Sequence, residues 1–327
     1  MKNQVILTNH VGADRSRSWG KFSYCPEFGS FTSIPLVDAF SRAWRLFRLR
    51  KNYQVVVLGG GAWYDQFYLL LQRLWPRHKR PVVKIDCLWY RSAPFSHFFR
   101  KILFRWLDAV VACYVVWSRR EITDYASAFD LPESKFFFIP YHTTNVESFA
   151  PRNRGYIFSG GNFARDYKTL AEAVKGLDVQ LVIACSNPEV RADLELPANV
   201  SLVAVDHGEF MRLMAESGIN VVSLDVSLLH SGGQQTFLNA MAMGKAVIVT
   251  DPQGAADYIE DGVDGLLVPG KDPRQLRAAL QRLLNNPEFA AQLGAKAQKK
   301  AQDMDTENSL AAIARVALNL RRKAYAL

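Results

Sequence analysis

An α/β protein of two Rossmann-like domains, facing each other across a cleft, is the fold class that the 327-residue sequence predicts. Three observations carry the expectation. The length suits two domains on the order of 150 residues each. Short apolar runs alternate with segments of helical spacing, and a polar break near the middle is followed by a second round of the same alternation. Apolar runs without polar alternation are strands buried on both faces, as in a parallel sheet covered by helices.

In the first half the strands are expected at residues 5–8, 54–58, 81–85, 109–113 and 136–139. Residues 141–154, YHTTNVESFAPRNR, are polar, contain Pro151 and read as a linker. The second series of strands falls at 155–159, 179–184, 200–203, 220–224 and 246–250. From Asp272 onward the pattern is helical, over 272–284, 287–301 and 306–325, with Asp272 as an N-cap and Pro273 at a favoured first position. The domains are therefore expected at 1–145 and 155–327, the closing helices belonging to the second. In open sheets of this kind, ligands bind at the C-terminal ends of the strands.

Composition narrows the class. The chain is 49% hydrophobic and 22% charged with no low-complexity tract, as in a folded globular protein. The N-terminus lacks the apolar core of a secretory signal. The apolar run 109–117, between Asp108 and Ser118, is nine residues, where a membrane-spanning helix needs ~20. Cys25, Cys87, Cys113 and Cys185 form no C-x-x-C pair and read as reduced core thiols. A cytoplasmic protein is expected, peripheral at the inner face of the cell membrane.

Charge and aromatic residues divide unequally. Residues 1–150 hold 21 Lys and Arg against 11 Asp and Glu, whereas 151–327 hold 19 against 20. The first half also holds 30 of the 39 aromatic residues and all 7 Trp. Basic charge among aromatics suits a nucleic acid or an anionic membrane surface with lipid-linked substrates. It equally suits solvated helix faces over an aromatic core. No recognised nucleic-acid-binding module is present, and nucleic acid is not expected as a partner. Residues 95–107, FSHFFRKILFRWL, carry both readings in one helix, interfacial or packed with snorkelling arginines; His97 is too solitary to be a ligand.

The most informative stretch is 231–270, SGGQQTFLNAMAMGKAVIVTDPQGAADYIEDGVDGLLVPG. Gly232 and Gly233 allow close backbone approach, and Gln234, Gln235 and Thr236 open a helix whose free N–H groups and dipole favour a diphosphate. The alternative is a tight turn entering a packed helix. Its glycine turn, its helix ending AMAMGK, its strand AVIVTD and its DGVDGLLVPGKDP run resemble the retaining glycosyltransferases of the glycogen synthase and sucrose synthase superfamily, the family 4 group with the two-domain GT-B fold.

The resemblance implies transfer from a nucleoside-diphosphate sugar, as co-substrate and not cofactor, to a saccharide or lipid-linked acceptor. Relatives carry two glutamates eight positions apart around this helix; here Ser231 and Asn239 stand in their places. Asn239 retains hydrogen-bonding capacity for ribose hydroxyls, and Gln234 or Gln235 replaces the lost sugar contact. Loss of both carboxylates admits a non-catalytic nucleotide-sugar-binding scaffold as an alternative. A nucleotide-sugar epimerase is a further one, disfavoured because it needs carboxylates there.

Residues 156–173, YIFSGGNFARDYKTLAEA, resemble the family's strand, glycine loop and helix. Arg165 falls where the family's diphosphate-binding Lys stands, and Asn162, after Gly161, falls at the family's Arg, with the loop two residues shorter. A guanidinium presents a fork of donors to phosphate oxygens. Lys168, one turn on, assists it or is a surface lysine. In 205–214, VDHGEFMRLM, the resemblance assigns His207 and Gly208 to the nucleotide base.

In the first half the resemblance rests on pattern, in 104–122 and 130–141. Asp86 ends a strand near the position of an acceptor-binding His in relatives; it orients or deprotonates an acceptor hydroxyl, or serves as an N-cap or ion-pair partner. The glycines at 59–61 and Gly12 are candidate points of close approach. No cluster has metal-ligand spacing and no metal is expected, so a metal-independent mechanism is expected; the resemblance implies that it is retaining.

Overall fold

The computed structural model describes residues 4–10, 16–27, 35–59, 62–86, 94–144, 148–192, 194–225, 230–250 and 252–324. The chain divides into two compact units, one of Met1–Ile139 with Thr306–Leu327 and one of Pro140–Asp305.

Unit 1 runs β1 (Ile6–Thr8), α1 (Arg17–Phe22), β2 (Ser23–Tyr24), α2 (Pro35–Leu49), β3 (Val55–Leu58), α3 (Ala62–Leu74), β4 (Val82–Ile85), α4 (Pro94–Asp108), β5 (Cys113–Val116), α5 (Arg119–Phe129) and β6 (Phe136–Phe138). Its six strands pair in parallel in the order β2-β1-β3-β4-β5-β6. Strands β3, β4 and β5 are buried along their whole length, as helices on both faces require. The expected strand at 109–113 is displaced. Val110 and Val111 form a turn closed by bonds to the carbonyls of Leu107 and Asp108, and pairing starts at Cys113. A continuous apolar run does not say where along it the ladder begins.

Unit 2 runs β7 (Ile157–Gly160), α6 (Tyr167–Val174), β8 (Leu181–Ala184), α7 (Pro188–Ala192), β9 (Val200–Val203), α8 (His207–Glu216), β10 (Ile219–Val222), α9 (Gln234–Ala242), β11 (Ala246–Val249), α10 (Pro252–Ala255), β12 (Leu266–Leu267), α11 (Pro273–Leu284) and α12 (Pro287–Ala301). The order is β12-β11-β10-β7-β8-β9, again parallel throughout. Asp272 caps α11 by accepting from the N–H groups of Arg274 and Gln275. The short strands β2 and β12 were not expected, being two residues each.

Two expectations about the domains are corrected. The last helix, α13 (Thr306–Ala324), belongs to unit 1, where it packs on β3 and α1. Helical spacing shows that this segment has an apolar face, Leu310, Ile313, Ala314 and Ala317, but not which sheet it covers. The segment expected as a linker is stitched into unit 2: Tyr141 N–H donates to the Tyr258 hydroxyl at 3.0 Å, Thr143 N–H to the Met304 carbonyl at 2.8 Å, and Arg152 and Arg154 N–H to the carbonyls of Ala215 and Glu216, both at 2.9 Å. Cys113 and Cys185 are buried free thiols and Cys25 a half-buried one, while Cys87 lies outside the described residues. Among the described residues no helix is long and apolar enough to cross a membrane.

The core of unit 1 contains an ion pair. Lys84 Nζ lies 2.5 Å from Asp65 Oδ2 and also donates to the carbonyls of Ile85 and Asp86, each at 3.1 Å. Asn9 Nδ2 donates to Asp65 Oδ1 at 2.6 Å, and Asn9 Oδ1 accepts from Gly59 N–H at 2.9 Å. Removing one member strands a buried charge, whereas removing both does not. Lys84→Met is expected to lower stability by about 3–5 kcal/mol, and Lys84→Met with Asp65→Leu to recover much of that loss. Urea denaturation of the three proteins measures both quantities.

Candidate functional site

Strand order reverses between β7 and β10 in unit 2. From β7 the chain crosses to β8 on one side, and from β10 to β11 on the other. At such a reversal the two connections diverge, leaving a crevice beyond the strand ends. The backbone beside it is closely joined. Arg165 and Leu224 form an antiparallel bridge, Asp166 N–H donates to the Ser223 carbonyl, and Asp225 N–H donates to the Ala164 carbonyl, the last two at 3.1 Å. Ser223 Oγ adds a bond of 2.6 Å to the Asp166 carbonyl.

Arg165 links this loop to helix α9. Its Nε donates to the Gly160 carbonyl at 3.0 Å, Nη1 to the Phe163 carbonyl at 2.8 Å and Nη2 to Thr236 Oγ1 at 3.1 Å. Among the described residues no carboxylate pairs with it, and burial pushes its pKa down from the ordinary arginine value. The guanidinium lies over Gly161, where φ is +128° and a Cβ would stand 2.6 Å from Nη2. Gly160 is equally constrained, because a Cβ there would overlap the ring of Phe210, which meets Phe158 edge-on at 5.2 Å.

At the start of α9, Gly233 has φ +82°, and a Cβ would lie 2.7 Å from Val222 Cγ1. Gly232 has its nearest neighbours, Ala164 and Leu224, 3.7 Å from the position of a Cβ. Gln234 is buried, and among the described residues its Nε2 has no hydrogen-bond partner. Thr236 holds Arg165, so the two parts of the expected anion site meet at a single hydrogen bond. A helix start leaves its first N–H groups without intrahelical partners and offers the positive end of its dipole, here beside a cation, an arrangement that suits an anion.

Other expected residues are placed differently. Asn239 is only 2% exposed, and its amide is engaged: Oδ1 accepts from Thr144 N–H at 2.8 Å and Nδ2 donates to Thr144 Oγ1 at 3.1 Å. It fastens the segment entering unit 2 and does not present its amide to a ribose. Gln235 is exposed, and its Nε2 lies 3.2 Å from the same hydroxyl. Asn162 accepts through Oδ1 from the N–H groups of Ser186 at 2.6 Å and Asn187 at 3.2 Å, tying the β7 loop to the one after β8. Ser231 is buried.

His207 and Gly208 are exposed at the start of α8, where Asp206 caps the helix. They follow β9, two strands along from β7, or roughly 10 Å. Asp86 belongs to unit 1, where it follows β4 with φ +59° and donates its N–H to the Val115 carbonyl at 3.0 Å. Gly12, Gly60 and Gly61 lie outside the described residues, as do the side chains of His97, Phe98 and Arg100.

Sequence reasoning missed Lys271. With Arg165, Lys168, Asp225 and Glu189 it lines a cavity of about 620 Å³, and its Nζ lies 3.9 Å from Asp225 Oδ1. Its position directly after the VPG turn was the available signal.

Residues 160–286, within unit 2, match the family model described as glycosyl transferases group 1. A D-inositol 3-phosphate glycosyltransferase of Kineococcus radiotolerans is 31% identical over 134 residues, covering 41% of this chain and 28% of that protein. An alpha-D-kanosaminyltransferase of Streptomyces kanamyceticus is 30% identical over 133 residues, covering 38% and 33% respectively. The match thus spans about a third or less of those relatives' length. Among solved structures, sucrose-phosphate synthase from Thermosynechococcus elongatus superposes with a TM-score of 0.68 at 19% identity, over 93% of this chain and 83% of that one. HepE of Anabaena in complex with UDP gives 0.65 at 13% identity, over 98% and 99%. The two six-stranded α/β units have the fold of the GT-B glycosyltransferases.

Gly161→Ala is expected to displace the Arg165 guanidinium and to lower stability by about 1–3 kcal/mol through its strained φ. Chemical denaturation measures the second effect, and loss of the Arg165–Thr236 bond in a crystal structure of the variant tests the first.

Proposed function

We propose that the chain is a glycosyltransferase moving a sugar from a nucleoside-diphosphate sugar to a hydroxyl of a saccharide or lipid-linked acceptor, in surface polysaccharide or glycolipid synthesis at the inner membrane face. The observation that carries this is the Arg165–Thr236 contact, which sets a cation lacking a carboxylate partner beside the start of α9 at a strand reversal. The glycosyl transferases group 1 match and the complexes of HepE with UDP and with UDP-glucose support it.

In the reaction, the bond from the anomeric carbon to the diphosphate breaks, and the acceptor oxygen bonds to that carbon on the same face, with retention. The departing diphosphate takes the electron pair and gains negative charge. Arg165 and the N–H groups of α9 stabilise that charge as it develops, without requiring a metal ion. The acceptor proton passes to a base, for which Asp86 is the candidate. Exclusion of water protects the donor from hydrolysis.

A second reading, a nucleotide-sugar-binding scaffold without turnover, is favoured by Ser231 and Asn239, which supply no carboxylate, and by the commitment of the Asn239 amide to Thr144. The two readings separate in an assay of transfer and of donor hydrolysis.

A ligand that binds only the folded state raises the melting temperature, so UDP, GDP, ADP and their sugar conjugates are screened by thermal shift. One nucleotide is expected to give a shift. Arg165→Ala should weaken its binding roughly a hundredfold, as expected for losing charge-assisted hydrogen bonds of about 1.5–3 kcal/mol each. Unchanged affinity would overturn the site assignment.

A further inference from the structure

Helices α2, α3 and α4 lie on one face of the unit 1 sheet, since each carries the chain onward between parallel strands in the same direction and such crossovers share one hand. Helix α2 buries Ala43, Leu46 and Phe47. Moving round the helix at about 100° per residue, the next strip carries Val37, Phe40 and Trp44, and the one beyond it Arg48 and Arg45. Phe40 and Trp44 are each 43% exposed, and Trp63, on α3, is 63% exposed.

These rings form one ridge. Phe40 stacks on Trp44 at 6.5 Å and meets Phe67 edge-on at 5.6 Å, while Trp63 lies 6.3 Å from Phe67. A groove of about 770 Å³ follows its basic edge, lined by Phe40, Trp44, Arg45, Arg48 and Lys51 among others. Asp38, the acid of α2, is held by Arg42 at 2.7 Å. Among the described residues no carboxylate forms an ion pair with Arg45, Arg48 or Lys51. Helix α4 also exposes Phe99, Ile102 and Leu103.

Clusters of exposed apolar side chains rimmed by polar groups mark interaction sites. Tryptophan and phenylalanine beside uncompensated arginine and lysine match the boundary of a bilayer, where rings enter the headgroup layer and cations meet lipid phosphates. We propose that the α2–α3 ridge seats unit 1 on an anionic phospholipid bilayer. This deepens the reading above, on which the membrane acceptor rests, while its evidence lies in unit 1 alone.

The test is co-sedimentation of the full chain with vesicles of phosphatidylcholine, and of phosphatidylcholine with about one third phosphatidylglycerol. Binding to the anionic vesicles alone is expected, falling as salt rises. Arg48→Glu with Lys51→Glu, both at exposed positions, should weaken it by at least about tenfold, at roughly fivefold per charge. Trp44→Ser should weaken it independently. No binding to anionic vesicles, binding indifferent to these changes, or a preference of the same ridge for a single-stranded oligonucleotide would overturn the proposal. The nucleotide thermal shift, measured on the same variants, separates the two readings. A retained shift with no vesicle binding rejects only the membrane surface, and vesicle binding as expected with no shift rejects only sugar transfer.

Discussion

The reversal of strand order between β7 and β10 is the constraint on which the candidate site depends. Parallel strands are joined by crossovers that run over the sheet faces, so strand ends are covered except where consecutive connections part. Here the parting loops are joined by the Arg165–Leu224 bridge, which brings a guanidinium to the first turn of α9. The glycines before it follow from that placement. Gly160 leaves room for the Phe210 ring and Gly161 for the guanidinium itself, so the SGG sequence records the packing of Arg165 as much as the approach of a ligand.

Unit 1 reverses in the same way between β1 and β3, and the buried Asn9, Asp65 and Lys84 are linked beside that place. Asn9 spans the reversal to Gly59, and the Lys84–Asp65 pair lies alongside. The charges differ in kind. In unit 1 Lys84 is matched by a carboxylate, whereas Arg50 and, in unit 2, Arg165 are held among the described residues by carbonyls, Arg165 also by a hydroxyl. A matched pair stiffens the strand ends; a cation without a carboxylate partner leaves the local field positive and suited to a phosphate. The division of the sequence into a basic, aromatic first half and a nearly neutral second half has its counterpart in the exposed rings of α2, α3 and α4.

Much of this architecture was legible in local pattern. Ten strands were expected, eight lie within about two residues of their places, and residues 200–203 coincide with β9. Asp272 and Pro273 marked the start of α11 because capping is decided within a few residues. Arg165 was singled out by the family resemblance, counted back from the α6 helix, and the start of α9 by its two glycines. Asn239 shows the opposite case. Its type and position suited a ribose, yet its amide is taken by Thr144, 95 residues earlier, a partner that no local pattern names.

The sequence by itself determined two parallel α/β sheets, their order along the chain, the cap of α11 and the glycine turn that opens α9, because periodicity, capping and glycine spacing act over a few residues. Only the tertiary structure decided that α13 returns to unit 1, that the supposed linker belongs to unit 2, and that Arg165 meets Thr236 across 71 residues of chain. Those outcomes depend on which buried faces and polar groups find each other in space. An apolar stripe or an amide declares its need for a partner without specifying which one.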